Sequence, residues 1–163
     1  MDLQTLYQEL FKPVFAYVLC RVRNYSAAED ICATAWRKAY EKQSSFDPQK
    51  GSFRQWIFTI ARNEINMYHR LYYVRKFLSL TGFEEQTEFP QPVQADPAQQ
   101  NGDIARLLGA LQHLKERERD LVALKFYSGL NNREIALQTG LSESNVGTIL
   151  NRSIGKLRKE MNV

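Results

Sequence analysis

Apolar residues recur at helical spacing through most of this chain. Leu3, Leu6, Tyr7, Leu10 and Phe11, then Val14, Phe15 and Val18, fall three or four residues apart and so share one side of a helix. A second stretch puts Ala28, Ile31, Cys32, Ala35, Trp36 and Ala39 on one face. Ser26 is read as its N-cap, with Glu29 three residues on completing a capping box. From Ser45 to Gly51 the period is broken by Pro48 and Gly51, which predicts a loop. Ser52 is then placed to cap a long helix carrying Phe53, Trp56, Ile57, Ile60, Ala61 and Ile65. No stretch alternates apolar and polar residues for long enough to predict a strand. The pattern is that of an all-α chain with three or four helices in its first half.

The helical pattern stops near residue 80 and resumes near residue 102. Residues 81–97 hold three of the five prolines and no Lys or Arg. Proline removes a backbone donor and drives the preceding residue out of the helical region, so this stretch reads as a linker. A loop of that length inside one compact domain is unusual, which predicts two domains. The boundaries expected are 1–78, a linker over 79–102, and 103–163. Charge divides the chain in the same way. Residues 1–75 carry 11 basic and 7 acidic side chains, residues 76–102 carry 1 and 4, and residues 103–163 carry 10 and 7. The expected fold is therefore two small basic helical domains joined by a flexible acidic linker. Such a linker is repelled by phosphate and spans nucleic acid rather than binding it.

The strongest local signal runs from Asn132 to Leu150. Ala136 is small enough for a second helix to cross close to it. Gly140 can take the left-handed conformation that ends a helix. Leu141 fills the space between the two helices, and Ser142 caps the second one. Val146 and Ile149 should meet Ile135 and Leu124 in a core. Ser144, Asn145, Gly147, Thr148, Asn151 and Arg152 are left on the outer face, with Arg133 before them and Lys156 after them. Short and polar side chains on one helix face suit base edges and phosphates in a major groove, so this segment is read as a DNA-binding helix-turn-helix.

Three segments together resemble an extracytoplasmic-function (ECF) sigma factor, a two-domain bacterial transcription initiation factor. The first is Ala28-Glu29-Asp30-Ile31, opening the helix that runs to Trp36-Arg37-Lys38-Ala39-Tyr40. The second is Phe53-Arg54-Gln55-Trp56-Ile57-Phe58-Thr59-Ile60-Ala61-Arg62-Asn63, ending Tyr68-His69-Arg70. The third is the helix-turn-helix with its lead-in, Leu107, Leu111, Leu114 and Arg117 to Lys125. The resemblance implies RNA polymerase core as partner, through the β′ clamp helices and the β flap. It places Asp30, Thr34 and Arg37 on or near the clamp contact. It implies a −10 promoter element read as melted DNA by the loop before the second helix, with Phe46, Asp47, Gln49, Lys50 and Ser52 as its candidates. Arg62, Asn63, His69 and Arg70 would line the path of the strand, where aromatic and basic side chains suit unstacked bases and phosphates. The outer face of the helix-turn-helix would read the −35 duplex. An anti-sigma factor is implied as a further partner.

Composition narrows the alternatives. Cys20 and Cys32 sit among apolar neighbours and read as buried reduced thiols, which points to a reducing, cytoplasmic compartment. No second Cys/His pair completes a zinc site, and no cofactor or metal is expected. No apolar run approaches the roughly 18 to 20 residues of a membrane span, so no direct membrane insertion is expected. Only His69 and His113 are near-neutral bases. The adjacent acidic pairs Glu29-Asp30 and Glu84-Glu85 do not converge on a helix, so the chain is not read as an enzyme. The rival reading is a stand-alone helix-turn-helix regulator, which would normally dimerise to match a two-fold operator.

Overall fold

The computed structural model describes residues 2–80, 106 and 109–162, and every element among these is helical. The expected linker lies outside the described residues. Helix α1 spans Leu3–Val22. Asp2 caps it by accepting from the Gln4 N–H at 3.0 Å. Pro13 lies inside α1 and removes one backbone hydrogen bond. The helix continues through it because Leu10, Val14, Tyr17 and Val18 are all buried on the same side. Arg23, with φ 53°, turns left-handed and ends the helix.

Helix α2 spans Tyr25–Glu41, and its cap differs from the expectation. Asn24, not Ser26, is the N-cap, accepting from the Ala27 N–H at 2.8 Å. Asparagine caps as well as serine does. It stands directly after the left-handed end of α1, so α2 starts early and Ser26 falls within its first turn. A 3-10 turn at Gln43–Ser45 leads into the loop, and α3 spans Phe53–Leu80, two residues beyond the expected boundary. Ser52 caps α3 as its position predicts: its Oγ accepts from the Gln55 N–H at 3.2 Å, and its own N–H donates to Gln55 Oε1 at 2.9 Å.

Helices α1, α2 and α3 form a bundle. Ala28, Ala35 and Ala39 of α2 and Ala61 of α3 are fully buried, and their small size lets the helix axes approach around Val14, Val18, Ile57, Phe58 and Ile65. In the second half, α4 spans Glu116–Ala123 and widens into a π-helical turn at Leu124–Ser128. Helix α5 spans Asn132–Thr139 and α6 spans Glu143–Met161. Leu124, Ile135 and Val146 meet in a closed core as the spacing predicts, while Ile149 is only half-buried and Leu150 takes the deeper place.

The two halves lie directly against each other. The face of α3 formed by Gln55, Thr59, Arg62 and His69 is laid along α4 and α5. The buried residues of both halves belong to one core cluster, and the second half covers a face of the first.

Candidate nucleic-acid interface

The helix-turn-helix is built by four local devices. Asn131 caps α5, its Oδ1 accepting from the Glu134 N–H at 2.9 Å while Glu134 Oε2 accepts from the Asn131 N–H at 2.8 Å. Gly140, at φ +73°, ends α5 and donates its N–H to the Ala136 carbonyl at 2.9 Å. Ser142 caps α6, its Oγ accepting from the Asn145 N–H at 3.2 Å. Ala136, nearly buried, lets the two helices cross. These devices fix the direction of α6 and so aim its outer face. Ser144, Asn145, Thr148, Asn151 and Arg152 are exposed there, Gly147 is half-buried between them, and Arg133 is exposed on α5. The Thr148 hydroxyl donates to the Ser144 carbonyl at 3.0 Å, which leaves its lone pairs and methyl group facing outward. Lys156 is exposed and also paired. Its Nζ donates to Glu118 Oε1 at 2.6 Å, so its charge ties α6 to α4.

The loop before α3 is only partly a reading surface. Phe46 packs on Phe53 and Trp56, with ring centroids 5.6 and 5.4 Å apart, so it anchors the loop rather than standing free. Asp47 Oδ1 accepts from the Gln49 N–H at 3.0 Å and shapes the turn. Gln49, Lys50 and Ser52 are exposed. Together the loop and α3 enclose a cleft of about 240 Å³ lined by Phe46, Asp47, Lys50, Ser52, Trp56 and Thr59.

Along α3 the four candidate strand contacts divide. Asn63 and Arg70 are exposed. Arg62 and His69 face the C-terminal half, their side chains only 20% and 18% exposed. Arg62 Nε donates to Asp120 Oδ2 at 3.0 Å, and its Nη1 donates to the Gln138 carbonyl at 3.3 Å. His69 Nδ1 lies 2.7 Å from Glu116 Oε1. Burial pushes the His69 imidazole below its ordinary value, with Arg21 and Arg119 acting the same way and Glu116 opposing them. His69 is therefore not a solvated side chain in this arrangement.

On α2, Asp30 and Arg37 are exposed and Thr34 is half-buried, all on the side away from the bundle core. Arg37 pairs with Glu41 one turn on, at 2.8 Å. This side of α2 is open at Asp30 and Arg37. Both thiols are buried, and burial pushes each up to about 11. No helix among the described residues is long and apolar enough to cross a membrane.

Sequence reasoning did not identify the residues that join the halves. Asp120, 5% exposed, accepts from Tyr17 Oη at 2.9 Å and Arg21 Nη1 at 2.6 Å as well as from Arg62. Gln55 Nε2 donates to Glu134 Oε1 at 2.5 Å, and Gln138 Nε2 donates to Thr59 Oγ1 at 2.7 Å. Arg54 donates to the Tyr127 and Ser128 carbonyls at 3.1 and 3.3 Å. One signal was available. Arg21 stands four residues after Tyr17 on the buried side of α1, and a guanidinium in that place needs a carboxylate. Nothing local says that the carboxylate lies 99 residues on.

Comparison with known proteins agrees with this geometry. Residues 6–71 match the family described as Sigma-70 region 2, and residues 104–157 match Sigma-70, region 4. The chain is 34% identical to the ECF RNA polymerase sigma factor RpoE of Cereibacter sphaeroides, over 82% of this chain and 70% of that protein. It is 27% identical to the ECF RNA polymerase sigma factor SigL of Mycobacterium tuberculosis, over 96% of this chain and 86% of that one. Among solved structures, the fold is similar to the sigma factor RpoE in complex with the anti-sigma factor NepR from Bartonella quintana, with a TM-score of 0.76, 21% identity and coverage of 98% and 96% of the two chains. It is also similar to CnrH in complex with the cytosolic domain of CnrY, with a TM-score of 0.69, 19% identity and coverage of 98% and 87%. With both sigma-70 regions present in order and a relative above 30% identity over most of its length, the chain belongs to the ECF family of RNA polymerase sigma factors.

Proposed function

We propose that the chain performs the promoter-directing activity of its family as a bipartite reader. Residues 1–78 dock on the polymerase β′ clamp helices and take the melted −10 strand. Residues 103–163 dock at the β flap and read the −35 duplex. The observation that carries this is the pair of capped helices ending in the exposed face of Ser144, Asn145, Thr148, Asn151 and Arg152, where side chains stand as a major groove requires. Asp30, Thr34 and Arg37 supply the clamp contact. The cleft at Asp47, Lys50 and Ser52 takes an unpaired base, and Asn63 and Arg70, joined by Arg62 and His69, line the strand path. Phe46 shapes that cleft from beneath, and Lys156, paired with Glu118 but exposed, adds a positive charge beside the −35 face. Neither half has to bind tightly, because a tether raises the effective concentration of each once the other is engaged. Phosphate contacts release counterions, so affinity falls steeply with salt. One solved neighbour, the Bartonella quintana sigma factor, is in complex with an anti-sigma factor, which supports such a partner here.

The test is transcription from a randomised promoter library by bacterial core polymerase with and without the protein. Selected transcripts should share two elements about two helical turns apart, absent with core alone and lost with an Arg62→Ala, Asn63→Ala double variant. A protein that neither binds core nor directs initiation, yet retains specific duplexes, would sink this reading.

A further inference from the structure

A polar cleft of about 290 Å³ opens where the end of α1, the later turns of α3 and the start of α4 come together. Three guanidiniums line it, those of Arg21, Arg23 and Arg119, against the single carboxylate of Glu116. The carboxylates in reach are already engaged. Asp120 holds Arg21 and Arg62, and Glu116 lies 2.7 Å from His69 Nδ1 and 3.7 Å from Arg21 Nη2. Four guanidiniums thus stand against two carboxylates, and among the described residues neither Arg23 nor Arg119 forms an ion pair.

Arg119 is 7% exposed, and its Nε and Nη2 donate to the Leu111 and Leu114 carbonyls at 3.1 and 2.8 Å. Those bonds fix the guanidinium but leave its charge without a counter-ion, and a buried charge without one is costly. Burial pushes the Arg119 guanidinium below its ordinary value, and the charges of Arg23 and Arg21 push it the same way. Arg23 is the half-buried, left-handed residue that ends α1, at φ 53°, where glycine or asparagine is the usual choice. Carbonyl hydrogen bonds explain where Arg119 sits, but not why two unmatched charges stand beside one another. An anion in the cleft would match them.

Much of the remaining lining is aromatic. Tyr68 and Tyr72, one turn apart on α3, and Tyr73 beside them border the same cleft. The Tyr72 and Tyr73 rings meet edge to face with centroids 5.8 Å apart, and Tyr73 is 60% exposed. Aromatic rings beside guanidiniums take a planar heterocycle by stacking and a phosphate by paired N–H donors. A phosphate monoester carries about −1.5 to −2 charges at neutral pH, which suits two unpaired cations. The cleft lies at the small end of the roughly 300–1,000 Å³ of small-molecule sites, with room for one nucleotide and not for a strand. We propose that this cleft binds a single nucleoside monophosphate, its phosphate held by Arg23 and Arg119 and its base stacked on Tyr73, with Glu116 at the rim accepting from the sugar hydroxyls. The inference is independent of the promoter-directing reading, and its test needs neither polymerase nor promoter.

The test is isothermal titration calorimetry of the whole protein with adenosine 5′-monophosphate, adenosine, inorganic phosphate and a 5′-phosphorylated deoxyadenosine trinucleotide. The monophosphate should bind about tenfold tighter than adenosine or inorganic phosphate, because it alone uses both the cations and the rings. Arg23→Gln and Tyr73→Ala should each weaken it about tenfold, the first by removing a charged donor and the second a stacking surface. Circular dichroism checks that both variants fold. If Arg23→Gln does not, Tyr73→Ala still decides the matter, because Tyr73 is exposed and supports no core. The site is overturned if wild type does not bind the monophosphate at millimolar concentration, or if inorganic phosphate binds as tightly. It is equally overturned if the trinucleotide binds more tightly, or if folded variants bind the monophosphate as wild type does.

Discussion

Gly147 offers a perturbation whose effects on stability and on DNA binding should run in opposite directions. It lies in the second turn of α6, between Asn145 and Thr148, on the face proposed for the −35 duplex. A Cβ added there would meet only Asn132 Nδ2 at 3.6 Å, an ordinary contact. Nothing in the fold therefore requires glycine at this position. Glycine inside a helix is roughly 0.8–1 kcal/mol less favourable than alanine. Gly147→Ala should accordingly stabilise the protein by about that amount. For a chain of this size unfolding as one unit, this raises the melting temperature by ~2–4 °C. On the proposed reading of α6, glycine here would let the helix approach a DNA backbone that a methyl group would obstruct. Thermal melts and transcription with core polymerase should then diverge, with a higher Tm and at least a threefold loss of initiation at −35-dependent promoters. A lower Tm would refute the packing argument. A higher Tm with undiminished initiation would refute the close approach and leave Gly147 without a functional explanation.

Other measurements check other parts of the site. Arg152→Ala should weaken promoter binding uniformly across −35 sequences and lower the salt slope by about one; a changed sequence preference with an unchanged slope would mean that Arg152 reads a base. Cys20 and Cys32 should resist iodoacetamide in the native protein at pH 8 and react in urea, since burial holds both thiols near 11; rapid native labelling would place them at the surface. The His69 imidazole is lowered by burial below its ordinary value, so the neutral form favours the closed contact. That contribution is complete above about pH 6.5 and is lost as pH falls through the depressed value. Scattering should show expansion on mild acidification, and His69→Gln should flatten that dependence; expansion on raising the pH instead would reverse the assignment.

Local features were legible in the sequence because local rules set them. Ser52, Gly140 and Ser142 occupy positions where one side-chain oxygen or one left-handed residue decides a helix end, and each does what its type predicts. The Ser26 cap failed on the same kind of rule. Asn24 was an equally good cap nearer to the end of α1, and spacing alone does not rank two neighbouring candidates. The helix faces were legible too, since Ala28, Ala35 and Ala39 recur where α2 must approach its neighbours. The contact between the halves was not. Asp120 reads as one acid in the run Glu116-Arg117-Glu118-Arg119-Asp120, and only the tertiary fold shows that it and Glu116 turn toward α1 and α3 while Glu118 turns to Lys156.

Arg62 shows why such a contact can be both specific and reversible. A guanidinium meets a carboxylate or a phosphate through the same donors, so Arg62, which here holds Asp120, would meet a phosphate only by giving that carboxylate up. A buried ion pair contributes little net stability, because the desolvation of both charges offsets most of their attraction. The specificity of the closed state then comes from geometry, three donors on one carboxylate, while its reversibility comes from the near-cancellation of the same charges. A purely apolar contact of equal area would have lacked that cancellation.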